Sequence, residues 1–190
     1  MSMKITLTSK ALLEVVQIAF DHGLPLYERV TVLFERYMDI SKKVSDKNYS
    51  LHDTEEYKQY RAYYEYMHMN RFDKICFRIS SFFGFGPGIP EVPKFQPQSF
   101  SFRSCYYFRP TAYDVSGKIT EIMKRVSDLK NIALIDGSVV EIEESELKSI
   151  LSLSDGNFLQ RVEKLSKEVD EMEKEFNEHV WLVDYNQGEQ

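Results

Sequence analysis

The hydrophobic positions fall into a succession of helical stripes punctuated by turn residues. Thr8 or Ser9 can open a first helix by accepting a hydrogen bond from an amide of its first turn. That helix carries Leu12, Val15, Val16, Ala19 and Phe20, and is expected to stop at Gly23, a residue suited to left-handed backbone beyond a helix end. Pro25 suits the first turn of a second helix, in which Tyr27, Val30, Phe34 and Tyr37 recur at spacings of three, four and three. A linker this short predicts an antiparallel helical hairpin. After a polar loop over 46–51, Asp53 with Glu56 has the form of a capping box with Asp in place of Ser or Thr. The helix it opens is rich in tyrosine (Tyr57, Tyr60, Tyr63, Tyr64, Tyr66) and continues, past a break near Asn70, through Phe72, Ile75, Cys76 and Ile79.

Regular structure must stop over 84–97, where Gly84, Gly86, Pro87, Gly88, Pro90, Pro93 and Pro97 leave little room for helix or ladder. Phe100, Phe102, Tyr106 and Phe108 then alternate with Arg103, Cys105, Tyr107 and Arg109, predicting a half-buried strand over 99–109 with a basic outer face. A helix follows Asp114 with Ile119, Ile122, Met123 and Val126 as its apolar side. Asp136-Gly137 between the β-prone runs Ile132–Ile135 and Ser138–Ile142 predicts a two-residue hairpin with a type I′ turn. A short helix near 147–153 and a turn at Asp155-Gly156 lead to a last helix. There Phe158, Val162, Leu165, Val169, Met172, Phe176, His179 and Val183 alternate spacings of four and three, a heptad seam. The seam suits packing on the domain core. In a parallel homodimer Glu168 would meet Glu173 of the other copy, so that assembly is disfavoured while other homo-oligomers stay open.

These elements predict an α+β, mostly helical single domain over 1–190, with a small antiparallel sheet and a long C-terminal amphipathic helix. Its parts are a helical region (1–82), an irregular Gly/Pro loop (84–98), a small α/β region (99–153) and the long helix (157–183). The hydrophobic share of 43% supplies a core without staples. Cys76 and Cys105 are too isolated for a disulfide framework or a zinc site, so reduced thiols in the cytoplasm are expected. No exporting leader and no apolar run long enough to cross a bilayer is evident, and no membrane partner is expected.

Charge changes the picture more than composition does. The net charge of −6 conceals 11 basic and 6 acidic residues over 61–135, against 5 basic and 15 acidic over 136–190. Such segregation points either to two complementary faces or to two different partners. Residues 57–109 hold 16 of the 26 aromatic residues together with a net charge of +5. Stacking rings with interleaved cations suit single-stranded nucleic acid, with Arg71, Arg78, Arg103, Tyr107 and Arg109 as its contacts. Rings at helical or strand spacing are more commonly core, and no nucleic-acid-binding motif accompanies them.

Candidate chemistry is sparse. Gly84-Phe-Gly-Pro-Gly88 fails as a phosphate loop, because Ile89 and Pro90 stand where a third glycine, or a lysine followed by serine or threonine, would be needed. Asp136, Glu141 and Glu143 could hold magnesium in a nuclease, but that arrangement wants a lysine at 143; a charge-blunted strand edge fits better. His22, His52, His68 and His179 form no ligand spacing, and a pairing such as Cys105 with His68 would have to be made by folding. No catalytic, metal or cofactor residues are assigned, and an enzyme is the less favoured class.

The expected function is that of a non-enzymatic cytoplasmic interaction protein, a regulator or inhibitor acting by binding another macromolecule. A protein partner with a basic face is expected. Its contacts are the apolar residues of the irregular loop, Phe85, Ile89 and Phe95, and the acids of the last helix, Glu171, Glu173 and Glu175. Single-stranded nucleic acid is the alternative.

Overall fold

The computed structural model describes residues 3–102, 105–135 and 139–185, without the side chains of 105–107, 134 and 135. The chain is mostly helical with two small antiparallel strand pairs, an α+β arrangement. The described elements are β1 (Lys4–Thr8), α1 (Ser9–His52), α2 (Glu55–His68), α3 (Arg71–Phe82), β2 (Phe95–Pro97), α4 (Cys105–Ile135), β3 (Val139–Glu143), α5 (Glu144–Leu151), α6 (Asn157–Glu178) and β4 (Leu182–Asp184). They form two compact units: Met1–Ile40 with Phe102–Lys174, and Ser41–Ser101 with Glu175–Gln190. Both α1 and α6 contribute residues to each unit.

In the first unit three helices carry heptad seams. On α1 the buried positions Leu12, Val16, Ala19, Gly23, Leu26, Val30, Leu33, Tyr37 and Ile40 alternate spacings of four and three. On α4 Phe108, Ala112, Val115, Ile119, Val126, Leu129 and Ala133 are buried, with half-buried Ile122 filling the remaining heptad position. On α6 the series is Phe158, Val162, Leu165, Val169 and Met172. Helices α1 and α4 run antiparallel. Phe20 lies under Lys130, Gly23 faces Met123, Phe34 meets Tyr113 at 5.2 Å and Tyr37 meets Phe108 at 4.7 Å between ring centroids. Arg161 of α6 reaches Asp114 of α4 at 2.5 Å, and Arg36 of α1 holds Asp170 and Glu173 at 2.9 and 2.8 Å. Each fully buried aliphatic side chain contributes about 1.5–3 kcal/mol of transfer free energy, so the seams hold helices whose isolated stability would be marginal.

The expected helical hairpin at 23–25 does not form, because α1 runs through both residues, and the polar loop expected over 46–51 is likewise the end of α1. Gly23 is a seam position rather than a stop. A Cβ there would collide with the Met123 sulfur and come within 3.0 Å of Leu153 Cδ1, so its bare backbone lets the neighbours approach. Pro25 frees the carbonyl of Asp21, an exposed residue where water can satisfy it.

The expected strand over 99–109 is also replaced. From Cys105 the chain is helical, and Phe108 opens the α4 seam with no exposure, so helical burial overrides the local alternation. The expected hairpin is overturned in its first arm, since 132–135 completes α4; its Asp-Gly turn lies outside the described residues. The second arm is real but pairs elsewhere. β3 runs antiparallel to β1, Ile5 opposite Ile142 and Leu7 opposite Val140. Thr8 ends β1 and caps α1, its hydroxyl accepting from the Ala11 amide at 3.3 Å.

In the second unit, Thr54 rather than Asp53 caps α2, accepting from the Tyr57 amide at 3.2 Å. α2 packs on β2, which pairs with β4 through Phe95 opposite Asp184 and Pro97 opposite Leu182. The Asn48 side chain pairs with the Phe100 backbone like a strand neighbour, donating to its carbonyl at 2.8 Å and accepting from its amide at 2.9 Å. α6 ends at Glu178, short of the expected 183. His179 instead joins a ring cluster with Phe100 and Trp181, at 4.8 and 4.7 Å, and Val183 enters β4.

Candidate functional site

The feature that stands out is α3, which packs its polar side inward. Asn70 caps it, accepting from the Asp73 amide at 2.8 Å, where the break after α2 was expected. The half-buried residues Lys74, Phe77, Ser80 and Ser81 face the rest of the unit. The Phe77 ring lies 5.5 Å from that of Tyr66, a buried residue of α2. Arg78 Nε donates to the Tyr66 hydroxyl at 2.8 Å while its guanidinium lies over the ring at 6.0 Å. Lys74 Nζ donates to the Met67 carbonyl at 2.7 Å and sits 5.8 Å from the Tyr66 ring. A single tyrosine thus supplies an acceptor and a π face to two cations.

The opposite side of α3 is apolar and uncovered. Phe72, Ile75, Ile79 and Phe82 follow spacings of three, four and three, at 73%, 51%, 54% and 85% exposure, and no residue of α3 is buried. The helix ends in a Schellman arrangement, with the Phe85 amide donating to the Ser80 carbonyl at 2.9 Å and the Gly84 amide to the Ser81 carbonyl at 3.2 Å. Gly84 takes φ +73°, which a side chain would resist. The residue after that glycine commonly folds back on the helix; here Phe85 stands out, 85% exposed, with its ring 6.5 Å from that of Phe83. Ile89 lies with Phe82 and Phe83 around a shallow hollow of about 410 Å³. A second cleft of about 570 Å³ lies between α2, α3 and the loop, lined by Tyr66, Phe77, Pro87, Val92 and Lys94.

The predicted contact residues are distributed unevenly. Phe85 and Ile89 are exposed beside the α3 face, whereas Phe95 opens β2 and is half-buried under Lys94. Glu171 and Glu173 are exposed on α6 in the first unit, and Glu173 is held by Arg36, which was not foreseen as its partner. Glu175 is exposed and belongs to the second unit. Of the nucleic-acid candidates, Arg71 is exposed at the start of α3 and Arg78 is engaged with Tyr66. Arg109 belongs to the first unit, its guanidinium 5.7 Å from the Tyr113 ring. Arg103 and the side chain of Tyr107 lie outside the described residues.

Among the described residues no three His, Cys, Asp or Glu side chains are placed to hold a metal ion. Glu141 is paired with Lys4 at 3.1 Å, and Asp136 lies outside the described residues. His68 stacks on Tyr64 at 3.9 Å with Nδ1 2.8 Å from the Tyr64 carbonyl. A cleft of about 470 Å³ in the first unit is crossed by the Arg125–Glu146 ion pair, which holds the Arg125 guanidinium above its ordinary pKa. Compared with known proteins, the chain matches no family, no curated protein and no solved structure.

The sequence pattern carries the helix through Phe72, Ile75, Cys76 and Ile79 and does not single out Phe82. A usable signal was present in Phe82-Phe83-Gly84-Phe85, where three rings crowd a helix end that runs straight into a Gly/Pro segment and cannot all be covered.

Proposed function

We propose that the protein is a non-enzymatic interaction protein, working by attachment to a larger partner through the outward face of α3 and the loop that follows. The observation that carries this reading is the inverted packing of α3. Exposed apolar side chains in a contiguous cluster mark contact sites in soluble chains. The four exposed phenylalanines alone present on the order of 600 Å², at the upper end of the largest patch on a typical monomer. A cytoplasmic setting accompanies the reading, as does action as a regulator or inhibitor of what is bound. Glu171 offers the acidic helix a secondary contact with a cationic surface.

The test replaces Phe85 and Ile89 by serine and compares thermal unfolding with partner capture. Binding should fall with unfolding unchanged. A loss of several kcal/mol in stability, the scale of an emptied core site, would make these residues structural and end the proposal.

A further inference from the structure

We infer that the outward face of α3 binds an anionic lipid surface, with Phe72, Ile75, Ile79, Phe82 and Phe85 entering the acyl boundary and Arg71 and Arg78 at headgroup level. The inference rests on the reading above, that this face is the binding surface, and names what covers it.

Three properties favour a bilayer over a protein groove. First, the face offers almost nothing to hydrogen-bond. Phe72, Ile75, Cys76, Ile79, Phe82 and Phe83 are contiguous on it, and its sole polar atom is a thiol sulfur. Specific protein interfaces carry roughly one hydrogen bond per 100–200 Å², so a protein covering hundreds of Å² here would find few partners for its own polar groups. Hydrocarbon asks for none. Second, charge is complementary to phosphate. Arg71 and Arg78 are seven residues apart and so lie along one edge of the helix, about 10 Å apart along its axis. Both are exposed, and Arg78 bonds to Tyr66 through Nε alone, leaving its terminal nitrogens free of that bond. Arg71, Lys74 and Arg78 against Asp73 make α3 cationic within a chain of net charge −6. Third, α3 is a 12-residue helix with one apolar side and a cationic edge, the build of a helix that lies in an interface plane. The Gly84 turn adds to this by setting Phe85 outward beyond the helix end.

Among the described residues no helix is long and apolar enough to cross a membrane, as hydropathy led us to expect, and the attachment inferred for α3 is peripheral. An interfacial helix needs an apolar face rather than an apolar run. The cytoplasmic leaflet, negative through its acidic lipids, is a surface of the required charge.

The experiment floats the full-length chain with vesicles of phosphatidylcholine alone and of phosphatidylcholine mixed with phosphatidylglycerol, at low and high salt. The chain should partition onto the mixed vesicles, less so as salt rises and less onto phosphatidylcholine alone. Phe82→Asp with Phe85→Asp should lower partition roughly tenfold or more, and Arg71→Glu should remove most of the preference for phosphatidylglycerol. Circular dichroism of each variant should match the parent. No partition by the parent, or equal partition by the double-Asp variant, overturns the lipid assignment. Sedimentation separates the two levels of the reading. If the chain ignores vesicles but self-associates through Phe82, a second copy covers the face; the lipid assignment fails and the binding surface stands. If vesicle binding, self-association and partner capture are all indifferent to these substitutions, both fail.

Discussion

Helices α6 and α3 have the same kind of sequence and opposite fates. On α6 the apolar positions Phe158, Val162, Leu165, Val169 and Met172 are all buried, the last two completely. On α3 the apolar positions Phe72, Ile75, Ile79 and Phe82 are all at least half exposed. Spacings of four and three establish that a helix has an apolar side, and nothing in them says which neighbour covers it. The difference comes from what each helix meets. α6 runs beside the matching seams of α1 and α4, so its leucine and valines find apolar partners while its acids take Arg36 and its arginine takes Asp114. α3 meets Tyr66 of α2, whose hydroxyl and ring attract Arg78 and Lys74, and it docks by that side.

The contrast can be broken most forcefully at Leu165. Truncation to alanine should cost about 2–5 kcal/mol in denaturant unfolding, the range for emptied leucine sites. A cost under about 1 kcal/mol would place the α6 seam outside the core. Next is Gly23→Leu, which forces a side chain against Met123 and Leu153 and should cost about 1–3 kcal/mol. Flexibility of the Met123 side chain makes Gly23→Ala milder, and its unfolding free energy should lie between those of the parent and Gly23→Leu. Asn70→Ala removes the α3 cap and should cost about 1 kcal/mol, read as faster amide exchange in the first turn of α3.

A smaller effect attaches to the ion pairs around the first unit's seams. Arg161, and then Lys118, hold the Asp114 carboxyl below its ordinary pKa. A carboxylate with a depressed folded pKa stabilises the fold above its unfolded pKa of about 4 and loses that contribution as pH falls through the folded value. Asp114→Asn should therefore narrow the stability gap between pH 7 and pH 3 slightly, since the group is exposed and screened. The smallest effect on stability belongs to α3 itself. Ile79→Asp should change unfolding by no more than about 0.5 kcal/mol, as at any uncommitted surface site. A core-sized loss there would erase the distinction between the two helices.

Much of the fold was legible because it is local. The cap at Thr8, the break at Asn70, the irregular backbone over 84–94, the strand beyond 138 and the start of the last helix all rest on chemistry within a few residues, whereas 95–97, expected to be irregular as well, pairs with β4. The failures share a cause. Gly23 and Pro25 carry strong stop signals, yet a continuous seam from Leu12 to Ile40 outweighs them, because one bare backbone position is useful where helices approach closely and one lost hydrogen bond can go to water. The alternation over 99–109 and the Asp-Gly at 136–137 are strand signals of a few residues. They lose to α4, whose burial extends through Phe108 at one end and Ala133 at the other.

The candidate site shows the same division. Amino-acid order alone indicated that a helix continues past Asn70 through Phe72, Ile75, Cys76 and Ile79, that regular structure stops at Gly84, and that the segment is rich in rings and cations. Whether the rings of α3 look inward or outward was decided by tertiary structure. That choice depends on the relative affinity of its two sides for what α2 presents, and the winning contact joins residues twelve positions apart, Tyr66 and Arg78, through a hydroxyl and a π face that no periodicity encodes.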